Sequence, residues 1–291
     1  MNSRVLPEAV PAPATWQAEL ELGFRLTGRG VVLHQNRHKG PLYVQKPFYP
    51  EGRNLAHVYL LHPPGGIVSG DHLQISVAME ANSQALITTP GAGRVYRARA
   101  DKCLQQQQIS LHVAEGASLE WLPQETIIYS GAHTQLNTLI ELEQGARCVS
   151  WEVTCLGLPA SRQPFVSGAL QQQFECRLAG KPLLRETLRL NDDNLHLLHS
   201  HAGLAGQPVS GLMFAGPFNA VPDALLEALR DCCASLDLPA MAAVTELHNC
   251  LLIRYLGPGA EQARRLFTAC WQQLRPELLE RPACAPRIWA T

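Results

Sequence analysis

The dominant pattern in the chain is alternation of apolar and polar side chains with a period of two. From Trp16, the residues Ala18, Leu20, Leu22, Phe24 and Leu26 share one side, while Gln17, Glu19, Glu21 and Arg25 take the other. Successive side chains of a strand point to opposite faces, so this run predicts a half-buried strand. The pattern returns at Leu73, Ile75, Val77 and Met79, at Ile109, Leu111 and Val113, and at Leu136, Ile140 and Leu142. Val149, Trp151, Val153 and Cys155 continue it, then Leu184, Leu188 and Leu190. Gly, Pro, Asn and Asp interrupt these runs at short intervals, as turns require.

Small-residue turns precede three of the runs, at Ala81-Asn82-Ser83, Glu115-Gly116-Ala117 and Gln144-Gly145-Ala146. Their spacing of about 30 residues lies in the range where repetition signals stacked layers. Helical spacing appears only late. Pro222-Asp223 opens one helix, with Leu225, Leu226, Leu229, Cys232, Cys233 and Leu236 as its apolar stripe. A second starts after Gly257-Pro258-Gly259 and carries Ala263, Phe267, Cys270, Trp271 and Leu274 before Pro276, where it is expected to end. Between them, Cys250–Leu256 reads as a buried strand. The proline-rich tail ends Arg287-Ile-Trp-Ala-Thr291, and its Trp289 is expected to dock rather than stay in water. Residues 1–15, with Pro7, Pro11 and Pro13, read as a flexible lead-in to one domain over 16–291.

The chain has 291 residues, 46% hydrophobic and 17% charged, with a formal net charge of −1. Such a charge recruits neither nucleic acid nor an anionic membrane. No apolar run approaches the roughly 20 residues of a membrane span, and the N-terminus lacks the apolar core of a signal peptide. The nine cysteines form no CxxC pair, which fits reduced thiols and a cytoplasmic location.

Walker A, GxGxxG, GxSxG and HExxH motifs are absent. The most constrained stretch is His62-Pro-Pro-Gly-Gly-Ile-Val-Ser-Gly-Asp71, a corner between two strand-like runs. Asp71 either caps its own turn through backbone bonds or meets a cation there. Thr88-Thr89-Pro90-Gly91-Ala92-Gly93-Arg94-Val95-Tyr96-Arg97 sets hydroxyls and two arginines beside another strand. Glu120 and Glu125 flank a Trp-Leu-Pro core; paired acids suit glycoside hydrolysis, so a β-helical carbohydrate-active enzyme is the alternative reading. Cys148, Ser150, Glu152 and Thr154 share one strand face, either lining a wet interior channel or facing solvent. In His196-Leu-Leu-His-Ser-His201, a strand would put His199 and His201 on one face, as a metal pair or as surface histidines.

Taken together, Leu60–Asp71, Ile87–Arg97 and Leu119–Tyr129 resemble the UreD family of urease accessory proteins, called UreH in some bacteria. Gly157-Leu-Pro-Ala-Ser-Arg162 and Pro286-Arg-Ile-Trp-Ala-Thr291 extend the resemblance over roughly residues 16 to 291. It implies a mainly β fold, a layered β-helix-like stack of strands with two α-helices in the C-terminal part. It implies a scaffold without catalytic turnover, binding a UreF-type partner, through it a UreG-type GTPase, and the urease apoprotein. No tightly bound cofactor is implied, only Ni²⁺ in transit through an internal polar tunnel. On that reading Asp71, Thr88, Thr89 and Glu152, with Glu125 after them, are the expected polar groups of the nickel path. Few and spaced oxygen ligands pass a divalent ion along, where a dense His/Cys cage would trap it. Arg287, Ile288 and Trp289 are the expected partner-facing residues. The family pattern has Gly where Ser69 stands and Gln-Ala-Ala-Thr where Pro90-Gly91-Ala92-Gly93 stand, so the local loop shape is an open expectation.

Overall fold

The computed structural model describes residues 15–237 and 239–290. The expected lead-in therefore falls outside the described residues, apart from Thr15. The described chain is mainly β, with two α-helices late in the sequence, as the alternation predicts.

Its strands form two large sheets. The first has seven strands in the order Lys181–Leu190, Ala169–Leu178, His133–Leu142, Gln105–Val113, Asp71–Met79, Trp16–Thr27, Gly30–Lys39. Its inner five run parallel, and the two edge strands are antiparallel. In the second, Ala56–Leu61, Gln84–Thr88, Ser118–Leu122 and Arg147–Leu158 are parallel neighbours. Val209–Gly216, Cys250–Gly257 and Met241–Leu247 follow as antiparallel strands.

From Asp71 to Leu158 the chain visits the two sheets by turns, each visit adding a strand parallel to the last. The recurrent small-residue turns are the corners of these layers. Asn82, Gly116 and Gly145 hold the same place in each, at φ of 60°, 67° and 80°. Glycine, and asparagine more than other residues, accept that left-handed conformation. The turns also bond to one another, as where Ser118 N–H meets Ser83 C=O at 2.9 Å and Arg147 N–H meets Ala117 C=O at 3.0 Å.

One apolar core fills the space between the sheets, with Leu20, Phe24, Ile75, Val77, Trp121 and Ile140 among its members. A second lies on the other face of the second sheet, beneath α1 (Asp223–Ala234) and α2 (Ala260–Leu279). Arg147–Leu158 is thus covered on both faces, and its burial pattern is almost unbroken.

Two local expectations are corrected. The second helix does not end before Pro276 but continues to Leu279. Proline removes one intrahelical bond, yet Arg275, Leu278 and Leu279 are buried and Leu278 C=O accepts from the Arg147 guanidinium at 3.0 Å, so tertiary contacts hold the last turn. The segment at His196 is not a strand: Leu195–Leu198 is a short 3-10 turn, and His199 and His201 follow it as exposed residues without a shared strand face. Strands at Val209–Gly216 and Met241–Leu247 were not legible, the latter being a half-exposed edge rich in alanine. It forms a hairpin through His248 and Asn249 at φ of 51° and 58°, the positive pair that tight two-residue hairpins use.

Candidate functional site

The three stretches singled out in the sequence meet at one end of the layered region. Ile67, in the corner, bridges Val95, with Ile67 N–H to Arg94 C=O at 2.8 Å and Tyr96 N–H to Ile67 C=O at 3.0 Å. Gly93–Val95 pairs in parallel with Thr126–Ile128, which in turn pairs with Thr154–Leu156. Gln105, fully buried, binds the assembly together. Its amide donates to the carbonyls of Ile67 and Tyr96 at 3.0 and 2.8 Å, and its oxygen accepts from His133 N–H at 2.9 Å. Asp71 caps its own turn, accepting Val68 N–H at 2.8 Å. Ser69, where the family pattern has glycine, accepts the Arg99 N–H at 2.7 Å. Gly66 is the tight point of the corner. A Cβ there would stand 2.3 Å from the Tyr96 ring and 3.0 Å from the Arg94 carbonyl. Gly66→Ala is therefore expected to lower stability by about 1–3 kcal/mol, read as a lower urea midpoint with an unchanged slope.

Beneath this corner a cavity of about 280 Å³ runs between the sheets. His62, Gly65 and the Thr89–Arg94 loop form its outer part, and Gln107, Trp121, Asn137 and Thr138 its inner walls. A second cavity, of about 830 Å³, lies further along and is lined in part by Glu186, Arg189, Arg254 and Leu197. Glu152, Thr154 and Gln172 line both.

Glu152 is thus the one carboxylate on the wall common to the two cavities. Its strand face, with Cys148, Ser150 and Thr154, turns toward the first sheet rather than to bulk solvent. Thr138 donates to its Oε1 at 2.5 Å and the Gln172 amide to its Oε2 at 2.8 Å, while Thr154 donates to the Gln172 oxygen at 2.9 Å. Burial pushes the Glu152 carboxyl above its ordinary range, and the bonds from Thr138 and Gln172 only partly oppose that. A carboxyl that binds its proton more tightly when folded stabilises the fold below its unfolded value, and this contribution fades as pH rises through the folded value. Glu152→Gln is therefore expected to melt at a higher temperature than wild type at about pH 7 and to lose that advantage below the unfolded value of 4.5.

Sequence reasoning missed Thr138 and Gln172, although a signal was present. Both interrupt otherwise apolar inward-facing stripes, Leu136-Thr138-Ile140 and Leu170-Gln172-Phe174. The parallel register sets Gln107, Leu136 and Gln172 in one row across three strands. Gln107 and Gln172 thus flank Leu136 at one level, and Thr138 breaks the middle stripe at its next inward position.

The other expected path residues lie apart from Glu152. Thr89 lines the first cavity and accepts Gln124 N–H at 2.9 Å. Thr88 turns to the second core, donating to Leu122 C=O at 2.6 Å and accepting from Trp289 Nε1 at 3.0 Å. Glu125 lies 3.8 Å from the Arg264 guanidinium. Trp289 does dock, its ring 5.5 Å from Trp151 and 5.6 Å from Trp271, while Arg287 is exposed beside it. Ile288 between them is half-buried. Burial pushes the His62 imidazole below its usual range, with the nearby Asp71 charge opposing. Among the described residues, no group of three or more His, Cys, Asp or Glu is arranged to hold a metal ion, His199 and His201 included.

Glu120 is the largest departure from expectation. Instead of standing free as one of a pair of acids, it is 1% exposed, on the face opposite Trp121, where it accepts from Trp271 Nε1 at 2.6 Å and from Arg275 at 3.0–3.2 Å. Arg275 also pairs with Glu51 through two bonds of 2.7 Å, and Glu51 accepts from His57 at 2.7 Å. An acid sealed against a guanidinium cannot protonate a leaving group, so Glu120 and Glu125 do not form a glycosidase pair. Arg275 was detectable in the sequence: it lies four residues after Trp271, on the apolar stripe of α2.

The UreD urease accessory protein family model matches residues 17–290. This chain belongs to the UreD family. A urease accessory protein UreD of Marinomonas sp. (strain MWYL1) is 48% identical over 100% of this chain and 94% of its own length. That of Chromohalobacter salexigens is 43% identical over 95% of this chain and 89% of its own. The Citrobacter koseri protein of the same name is 40% identical over 95% and 92%. Membership in UreD makes this an accessory protein of urease maturation, not a catalyst. The motifs by which the sequence resembles UreD are the same stretches that build the corner, the first cavity and the Glu120–Arg275 lock. Among the described residues, no helix of this UreD-family chain is long and apolar enough to cross a membrane.

Proposed function

We propose that this chain is the scaffold subunit of a urease maturation complex and that Ni²⁺ crosses it through the two cavities. It binds a UreF-type partner, through that partner a UreG-type GTPase, and the urease apoprotein, all in the cytoplasm. The single observation that carries this reading is Glu152 on the shared wall of the cavities, with Thr138, Gln172 and Thr154 fixing its orientation. One anionic oxygen ligand between two chambers attracts a divalent cation without enclosing it. Thr89 supplies a further oxygen nearer the corner. Asp71, Thr88 and Glu125 line neither cavity; Asp71 and Thr88 are bonded within their own surroundings, and Glu125 faces the Arg264 guanidinium at 3.8 Å. Nickel is cargo here and stays in no one place.

Deletion and complementation test the scaffold role. Cells carrying the urease genes without this chain should make nickel-poor, inactive urease. Restoring the chain should restore activity, and a tagged copy should retain the UreF-type protein, the GTPase and urease. Full activation without the chain, or a tagged chain that retains none of the three, contradicts the assignment.

A further inference from the structure

In the first cavity, the side chains able to ligate a cation are, with one exception, oxygen donors. Thr89, Thr126, Asn137, Thr138, Glu152 and Gln172 are among them. Oxygen donors suit magnesium and manganese as well as they suit nickel, so they cannot select the ion. The exception is His62. Among the described residues it is the one imidazole lining either cavity, and no cysteine lines them. Imidazole is the ligand type that favours nickel over those harder ions.

The corner fixes where this residue stands. His62 directly follows the strand Ala56–Leu61. Pro63 and Pro64 stiffen the chain beyond it, and its carbonyl accepts the Gly65 N–H at 2.9 Å. His62 is half-buried, and its ring makes no hydrogen bond or ion pair among the described residues. Other histidines do face a carboxylate: His57 meets Glu51 at 2.7 Å, His34 meets Glu80 at 3.0 Å and His112 meets Glu143 at 3.4 Å. The His62 ring nitrogens are therefore not committed to the fold. Burial, which holds this imidazole below its usual range, favours the neutral form that binds metal.

Charge in the outer part of the cavity works the other way. Arg94 lines it beside His62, and a Cβ on Gly65 would stand 3.7 Å from the Arg94 Nη1. A guanidinium repels all divalent cations alike, whereas a nitrogen lone pair distinguishes between them.

We propose that His62 is the metal-selecting ligand of the path, its imidazole taking Ni²⁺ in the first cavity in preference to magnesium or manganese. The inference rests on the passage of nickel through the cavities proposed above. His62 supplies the choice of metal, and Glu152, on the shared wall, supplies the negative charge. Two ligands in separate parts of one cavity form no cage, so the ion is chosen without being kept.

The test reads urease activity in cells whose only copy of the chain is wild type, His62→Ala, His62→Gln or Glu152→Ala. Each strain is grown over a nickel series, with and without added manganese. Both His62 variants should need about tenfold more nickel for half-maximal activity, the scale on which metal affinity falls when a supporting group is lost. They should reach the wild-type maximum at high nickel. Manganese should push their nickel curves further up while leaving the wild-type curve nearly in place. A maximum that no nickel concentration restores would make His62 a structural residue and overturn the proposal. Wild-type curves for both His62 variants, with Glu152→Ala still defective, would overturn the role of His62 and leave the passage standing. Wild-type curves for all three variants would overturn the passage itself, and the role of His62 with it.

Discussion

Arg275→Met is expected to destabilise the chain by about 3–5 kcal/mol, the usual penalty for removing one partner from a buried ion pair. The guanidinium is 0% exposed and lies between Glu120 and Glu51, with Trp271 stacked at 5.2 Å and the Pro282 carbonyl as a further acceptor. Met fills similar volume but strands two carboxylates, one of them 1% and the other 8% exposed. Burial alone would raise the Glu51 carboxyl. Hydrogen bonds from His57 and Arg275, with their charges, outweigh it and hold Glu51 at about 2. A depressed carboxyl contributes stability above its unfolded value, 4.5 here, and loses it as pH falls toward about 2. The gap between wild type and Arg275→Met should therefore be widest near neutral pH and narrow across that acid window. Adding Glu120→Gln and Glu51→Gln should recover much of the loss, because uncharged amides tolerate burial better than stranded carboxylates. Urea midpoints across the pH range read all three variants, and a wild-type midpoint for Arg275→Met would contradict the role given to this network.

Glu152→Ala is expected to lower urease activation by about tenfold or more, in line with the loss of a group on which metal handling depends. Glu152→Gln should act in the same direction, since an amide keeps the hydrogen-bonding shape but not the negative charge. Thr138→Val should have a smaller effect: it removes the 2.5 Å bond that orients and acidifies the carboxyl while leaving the carboxylate in place. None of these positions lies on the outer surface, so partner capture should be unchanged. Loss of activation together with loss of assembly would mean the site shapes the fold instead.

The layered architecture was readable because each layer repeats the same physical solution. Alternating apolar residues set the strands, and a residue tolerant of positive φ, Asn82, Gly116 or Gly145, sets each corner. The helices were readable from Pro222 and from the stripe at Phe267 and Trp271. The site was only partly legible. Glu152 stood out as an acid on a mixed strand face, but its partners lie 14 and 20 residues away in sequence on strands of the other sheet, and only the packing of the two sheets brings Thr138 and Gln172 to it. Glu120 was misjudged for a related reason. Its partner Arg275 is 155 residues distant, and local pattern carries no information on such a contact. The His199–His201 segment failed differently: a run of leucines and histidines fits a strand or a 3-10 turn equally well, and backbone bonds at Asn194 and His196 chose the turn.

The nickel content of urease made in cells whose only copy of this chain carries Glu152→Ala tests the central claim most directly. Urease should be purified by a tag on its own subunit, and the intact maturation complex checked in the same cells. The account predicts an assembled complex and urease carrying well under half the wild-type nickel. Urease with full nickel content from that strain would contradict passage of the ion through the two cavities.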